Sequence, residues 1–132
     1  MTPDRQRRCA ILVIDDVEET RLGIKRLLIA SGYEVTAASD EEDAVFIATS
    51  HPPDLILLCL GLDAVQAFPV ASRIRKRAQL SEELPVVVFY VLELREGAEV
   101  DAGYGVYLIR PENFDQIRGL IGRLLHKPEP RG

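Results

Sequence analysis

Four short apolar runs, Ala10–Ile14, Leu55–Leu60, Val86–Val91 and Val106–Ile109, set the terms on which this chain can fold. Valine, isoleucine and leucine dominate them, and none alternates cleanly with polar residues. A strand with one face in water needs that alternation; a strand without it has to be covered on both faces. Helices do this in a parallel sheet, where each strand returns through a crossover connection. A fifth strand over 33–38 alternates more, with Val35 and Ala37 set against Thr36 and Ala38, which suits a sheet edge.

The segments between the runs supply the helices. From Glu18 to Ser31, the residues Leu22, Ile24, Leu27 and Leu28 form an apolar stripe, and Gly32 stands where a terminal glycine stops a helix. Ser39 or Asp40 caps the next helix, whose first turn carries Glu41, Glu42 and Asp43, where the helix dipole favours acids. Pro52 and Pro53 end it. A third helix is expected over 64–79, with Pro69 predicting a kink or a late start. The last begins at 112–114 and runs to about Leu125 through Ile117, Leu120, Ile121 and Leu124. The fourth is weak: LELREGAEVDAG, between Val91 and Tyr104, has Gly97 at its centre and few apolar positions, so a short or frayed helix is expected. Residues 1–8 and 127–132 read as polar tails around one domain over 9–126.

A length of 132 residues suits a single domain with a real core, and 28% charged residues is ordinary globular composition. The net charge of −5 argues against direct nucleic-acid binding, which needs a basic face. The clusters Arg5, Arg7, Arg8 and Arg73, Arg75, Lys76, Arg77 read as solvated tail and helix charges. No segment reaches the roughly 18 apolar residues of a membrane span, and Ile11–Ile14 is too short for a signal peptide. Two cysteines, Cys9 and Cys59, make no disulfide framework, and a cytoplasmic setting is expected. Cys9 opens the first strand and Cys59 closes its parallel neighbour. At roughly 3.3 Å per residue they stand about 20 Å apart, beyond the roughly 7 Å reach of a disulfide.

Ligands of open α/β sheets bind beyond the carboxyl ends of the strands. Here those ends carry Asp15 and Asp16, then Cys59 with Gly61, then Tyr90, then Arg110 and Pro111. Read alone, the acids are either exposed loop carboxylates or half of a metal site. Cys59 is a small semi-buried hydrophobe or a reactive thiol, with Arg110 lowering its pKa and the acids raising it. His51 and His126 lack ligand spacing.

The stretch ILVIDDVEETRLGIKRLLIASGYEV resembles the opening of the receiver domain of two-component response regulators, acidic pair included. PDLILLCLGL is similar to the segment that carries the phosphoacceptor aspartate, LPVVVFYV to the strand ending in serine or threonine, and GYGVYLIRP to the strand bearing an aromatic residue, lysine and proline. The resemblance covers about 9–125. It implies a flavodoxin-like fold: a doubly wound, five-stranded parallel sheet of order 2-1-3-4-5, with five helices, the fourth shortest. It also implies a pocket in which two carboxylates, the acceptor aspartate and a backbone carbonyl hold magnesium, while lysine and a hydroxyl residue stabilise the transferred phosphoryl group.

This sequence matches the pocket at Asp15, Asp16 and the Gly61 carbonyl, and keeps Tyr107 at the switch-aromatic position and Pro111. It departs where transfer is done: Cys59 replaces the acceptor, Tyr90 the small hydroxyl residue and Arg110 the lysine. A thiol is a poor ligand for magnesium, Tyr90 fills the pocket, and Arg110 is placed to pair with Asp15 and Asp16 in the metal's stead. The expectation is a degenerate, non-enzymatic receiver with no cofactor and weak magnesium binding at most. It would act by contact with other signalling proteins through the face of the fourth helix, fifth strand and fifth helix, and not with nucleic acid or membrane. The alternative is a thiol-based redox sensor or an enzyme using Cys59. A cysteine phosphatase would want arginine six residues on, where Val65 stands, and Gly103 and Gly105 precede a strand, which rules out a dinucleotide fingerprint.

Overall fold

The computed structural model describes residues 8–126, so the expected tails lie outside the described residues except for Arg8. The element order is β1 (Ala10–Asp15), α1 (Glu18–Ala30), β2 (Glu34–Ala38), α2 (Glu41–Ser50), β3 (Leu55–Cys59), α3 (Ala64–Arg77), β4 (Val86–Phe89), β5 (Ala98–Gly103), β6 (Val106–Arg110) and α4 (Phe114–Leu125). These form one sheet of order β2-β1-β3-β4-β6-β5. The five expected strands are β1, β2, β3, β4 and β6, all mutually parallel and in the expected order.

The sixth strand is a correction. No fourth helix forms; 98–103 instead pairs antiparallel with β6, from Ala98 opposite Arg110 to Gly103 opposite Val106, with a bulge between Asp101 and Gly103. The reason is local. Gly97, Gly103, Tyr104 and Gly105 all take positive φ (90°, 91°, 54° and 77°), which a helix excludes and a tight hairpin requires. Gly97 N–H is tied to the Arg110 carbonyl at 2.6 Å, fixing where the ribbon starts.

The core lies in two layers, one on each side of the sheet. Leu12, Ile14, Ile56, Leu58, Val86, Val88, Val106 and Leu108 pack beneath α2 and α3, and Ile11, Val13, Leu55, Leu57, Val87 and Ile109 beneath α1 and α4. Consecutive residues of one strand therefore serve opposite layers, which is why the runs could not alternate with polar residues. The stripe on α1 is narrower than expected: Ile24 and Leu28 are buried, Leu22 and Leu27 exposed. Asp40 and Asp63 cap α2 and α3 with hydrogen bonds of 2.8 Å to the amides of Asp43 and Gln66. Helix α3 starts on time and runs through Pro69 without interruption. No helix among the described residues is long and apolar enough to cross a membrane.

Candidate functional site

Parallel pairing brings the carboxyl ends of β1 and β3 into register, with Asp15 opposite Cys59. Asp15 is only 3% exposed and Cys59 8%, whereas Asp16 is exposed. One carboxylate oxygen of Asp15, Oδ1, accepts the Val17 amide at 2.9 Å, closing the turn into α1. Arg21, one turn into that helix, donates to the Asp15 carbonyl at 2.8 Å and brings a cation to the acid pair. Burial raises the Asp15 pKa above the ordinary carboxylate value; the Val17 bond opposes this, Asp16 adds to it, and Arg21 opposes it.

Cys59 sits in a worse place for a thiolate. Burial lifts its pKa well above the ordinary thiol value, and the neighbouring Asp15 charge lifts it further. A nucleophilic or redox-sensing cysteine needs the opposite surroundings, so the geometry disfavours the thiol-chemistry alternative. Cys9 and Cys59 are not bonded to each other.

Two expected pocket residues point elsewhere. Arg110 does not pair with Asp15 or Asp16; its Nη1 donates to the carbonyls of Leu92 and Leu94 at 3.3 and 3.1 Å, and its Nε is buried without a partner. The planar fork has been recruited to hold the 91–97 loop that stands where a helix was expected. Tyr90 does not fill the pocket. Its backbone takes φ 68°, the residue is 47% exposed, and the ring meets Phe89 edge-on at 5.6 Å, on the wall of a small cleft with Pro111 and Phe114. Gly61 takes φ +67°, with open space where a Cβ would lie. Tyr107 is half-buried against the α4 layer, opposite Asp101 in the hairpin, and acts as packing there.

Magnesium asks for several hard oxygen ligands converging on one point. Among the described residues no three histidine, cysteine, aspartate or glutamate side chains converge to hold a metal. The buried acid has one oxygen committed to Val17, and the third position offers a protonated sulfur in place of a carboxylate. The donor set does not fit the ion. Arg21 was missed in the sequence, although its position six residues after Asp15, on the first turns of an adjoining helix, was a usable signal.

An open α/β sheet with paired acids at the end of its first strand is shared by many proteins, and the comparisons with known proteins narrow it to one class. The response regulator receiver domain family matches residues 11–121, and the chain belongs to that family. It is a receiver domain of the two-component signalling family. Among curated relatives it is 27% identical over 128 residues to the probable transcriptional regulator ycf27 of Cyanidium caldarium, covering 96% of this chain and 50% of the relative. It is also 27% identical over 122 residues to the response regulator MprA of Mycolicibacterium vanbaalenii, covering 91% of this chain and 52% of the relative. The chain thus spans about half the length of these relatives. Among solved structures, the Thermotoga maritima response regulator TrrA with magnesium and BeF superposes with TM-score 0.66 at 24% identity, covering 89% of this chain and 99% of that one. Vibrio cholerae CheY4 superposes with TM-score 0.68 at 19% identity, covering 90% and 100%. TrrA has also been solved in complex with the histidine kinase ThkA.

Proposed function

We propose that this receiver domain signals by protein–protein contact, without phosphoryl transfer to an aspartate and without a working magnesium site. The observation that carries the reading is Cys59: it ends β3 opposite Asp15, buried and protonated, where the family's chemistry needs a carboxylate. A protonated thiol there neither attacks a phosphoryl donor as an aspartate does nor shares a magnesium ion with Asp15 and Asp16. Arg110 is turned to the carbonyls of Leu92 and Leu94 instead of the acids, and position 90 holds a tyrosine ring against Phe89 in place of a small hydroxyl residue.

Partners are other signalling proteins, among them a histidine kinase of the kind that binds TrrA. The docking face is built from β5, β6 and α4; the hairpin replaces the helix that was expected to contribute. A net charge of −5 supports a protein partner over nucleic acid. In the test, the chain is incubated with acetyl phosphate and magnesium, and separately titrated with beryllofluoride and magnesium. Intact mass and amide resonances should stay unchanged, and a stoichiometric phosphoryl adduct or sub-millimolar magnesium binding would overturn the proposal.

A further inference from the structure

At the opposite end of the sheet from Asp15 and Cys59, the first residues of β4 and β6 meet the last turns of α3 around Arg75. Arg75 is 3% exposed, and no carboxylate pairs with it among the described residues. Its Nη1 is engaged, donating to the carbonyls of Leu84 at 3.0 Å and Tyr104 at 2.7 Å. The hairpin turn presses against that nitrogen: a Cβ on Gly105 would lie 3.0 Å from it. This clip explains half of the guanidinium. The other edge makes no hydrogen bond of its own, with Nε buried and unpartnered. A buried cation lacking an anion is costly, and an arginine fork is shaped for a planar, two-oxygen acceptor.

The same residue lines a cleft of about 420 Å³, with Lys76, Ser72 and Leu80 beside it, Phe68 and Tyr104 as aromatic walls, and Glu82 at the rim. That volume lies in the range of small-molecule sites. Phe68 and Tyr104 meet edge-on at 5.7 Å, and Tyr104 is 77% exposed, an aromatic surface that nothing in the fold covers. Two cations against one acid leave the lining positive on a protein that is negative overall. Burial pulls the Arg75 pKa down from the ordinary guanidinium value while Glu82 pushes it up, and an incoming anion would act in the same sense as Glu82.

We propose that this cleft is a binding site for a small aromatic carboxylate, its carboxylate drawn between Lys76 and the Arg75 guanidinium and its ring against Phe68 and Tyr104. The site is independent of the degenerate pocket. The test is a two-dimensional NMR titration of the whole chain that follows the Arg75 side-chain Nε–H and the amides of Ser72, Lys76 and Tyr104. Benzoate is the probe, benzyl alcohol the neutral control and acetate the anion without a ring. Benzoate should give a saturable shift at the Nε–H, with each control about tenfold weaker or more, the worth of one charge-assisted hydrogen bond or one buried ring face. The surface variants Tyr104→Ala and Lys76→Gln should keep the fold and each weaken benzoate several-fold. No saturable shift with benzoate, equal binding of benzyl alcohol, or unchanged affinity in both variants would overturn the site.

Discussion

Asp15 holds a carboxyl group where little water reaches, and its chemistry follows from that. Its folded-state pKa is raised, first by burial and then by Asp16, against the Val17 bond and Arg21. A raised acid pKa means the fold binds the proton more tightly than the unfolded chain does. The penalty for ionising Asp15 is therefore fully present above the folded pKa and is relieved as pH falls through it. Asp15→Asn keeps an oxygen for the Val17 amide and removes the charge. It should raise the melting temperature at neutral pH, with the gain shrinking as pH is lowered into the carboxylate range. A variant less stable than the parent at pH 7 would show that Arg21 outweighs burial. The acid pair could be found in the sequence because two aspartates after an apolar run are conspicuous. Where Arg110 would turn could not, since its direction depends on the carbonyls of Leu92 and Leu94, in a loop whose shape no local pattern announced.

Among the elements, strands with continuous apolar runs were legible, because a residue that must be dry on both faces leaves few choices of type. The strand AEVDAG was not. Most of it is exposed, so burial imprints no period on it, and its only cue is turn chemistry: glycines at both ends and a Tyr104-Gly105 turn in which both residues take positive φ. That cue makes a prediction. In Gly105→Ala the new methyl would sit 2.9 Å from the Glu83 carbonyl and 3.0 Å from Arg75 Nη1, on a backbone at φ +77°. Strain and collision together should cost about 1–3 kcal/mol in urea unfolding. Gly103→Ala has a similar φ of +91° but open space around the Cβ, so it should cost measurably less. Equal costs would mean that the turn is not pressed against Arg75.

At the scale of the whole molecule, the sheet presents two chemically different ends: acids and a thiol at the carboxyl ends of β1 and β3, an unpaired guanidinium where β4 and β6 begin. Replacing the thiol tests whether the scaffold of the first end survives. Cys59→Asp would put a second buried carboxyl directly across from Asp15, lowering stability by about 1–3 kcal/mol in the absence of metal. Millimolar magnesium should return part of that loss in a thermal melt, and the parent should show no such response. A variant indifferent to magnesium would mean that the acids no longer converge. Cys59→Asp alone should still take up little phosphoryl group, since position 90 holds no small hydroxyl residue and Arg110 is turned to the carbonyls of Leu92 and Leu94; adding Tyr90→Thr and Arg110→Lys should do better. The exchange of a helix for β5 has a consequence of another kind. The expected order would have left β6 as the edge of the sheet; β5 pairs with it and moves the row of open amides and carbonyls, on which another chain can zip, one strand outward. Six residues and a bulge at Asp101 make that rim short and twisted, with Asp101 exposed on it and Glu99 paired to Arg123. Copies of a protein carrying −5 overall repel one another at such an edge, so the open rim can persist in a crowded solution without seeding fibres.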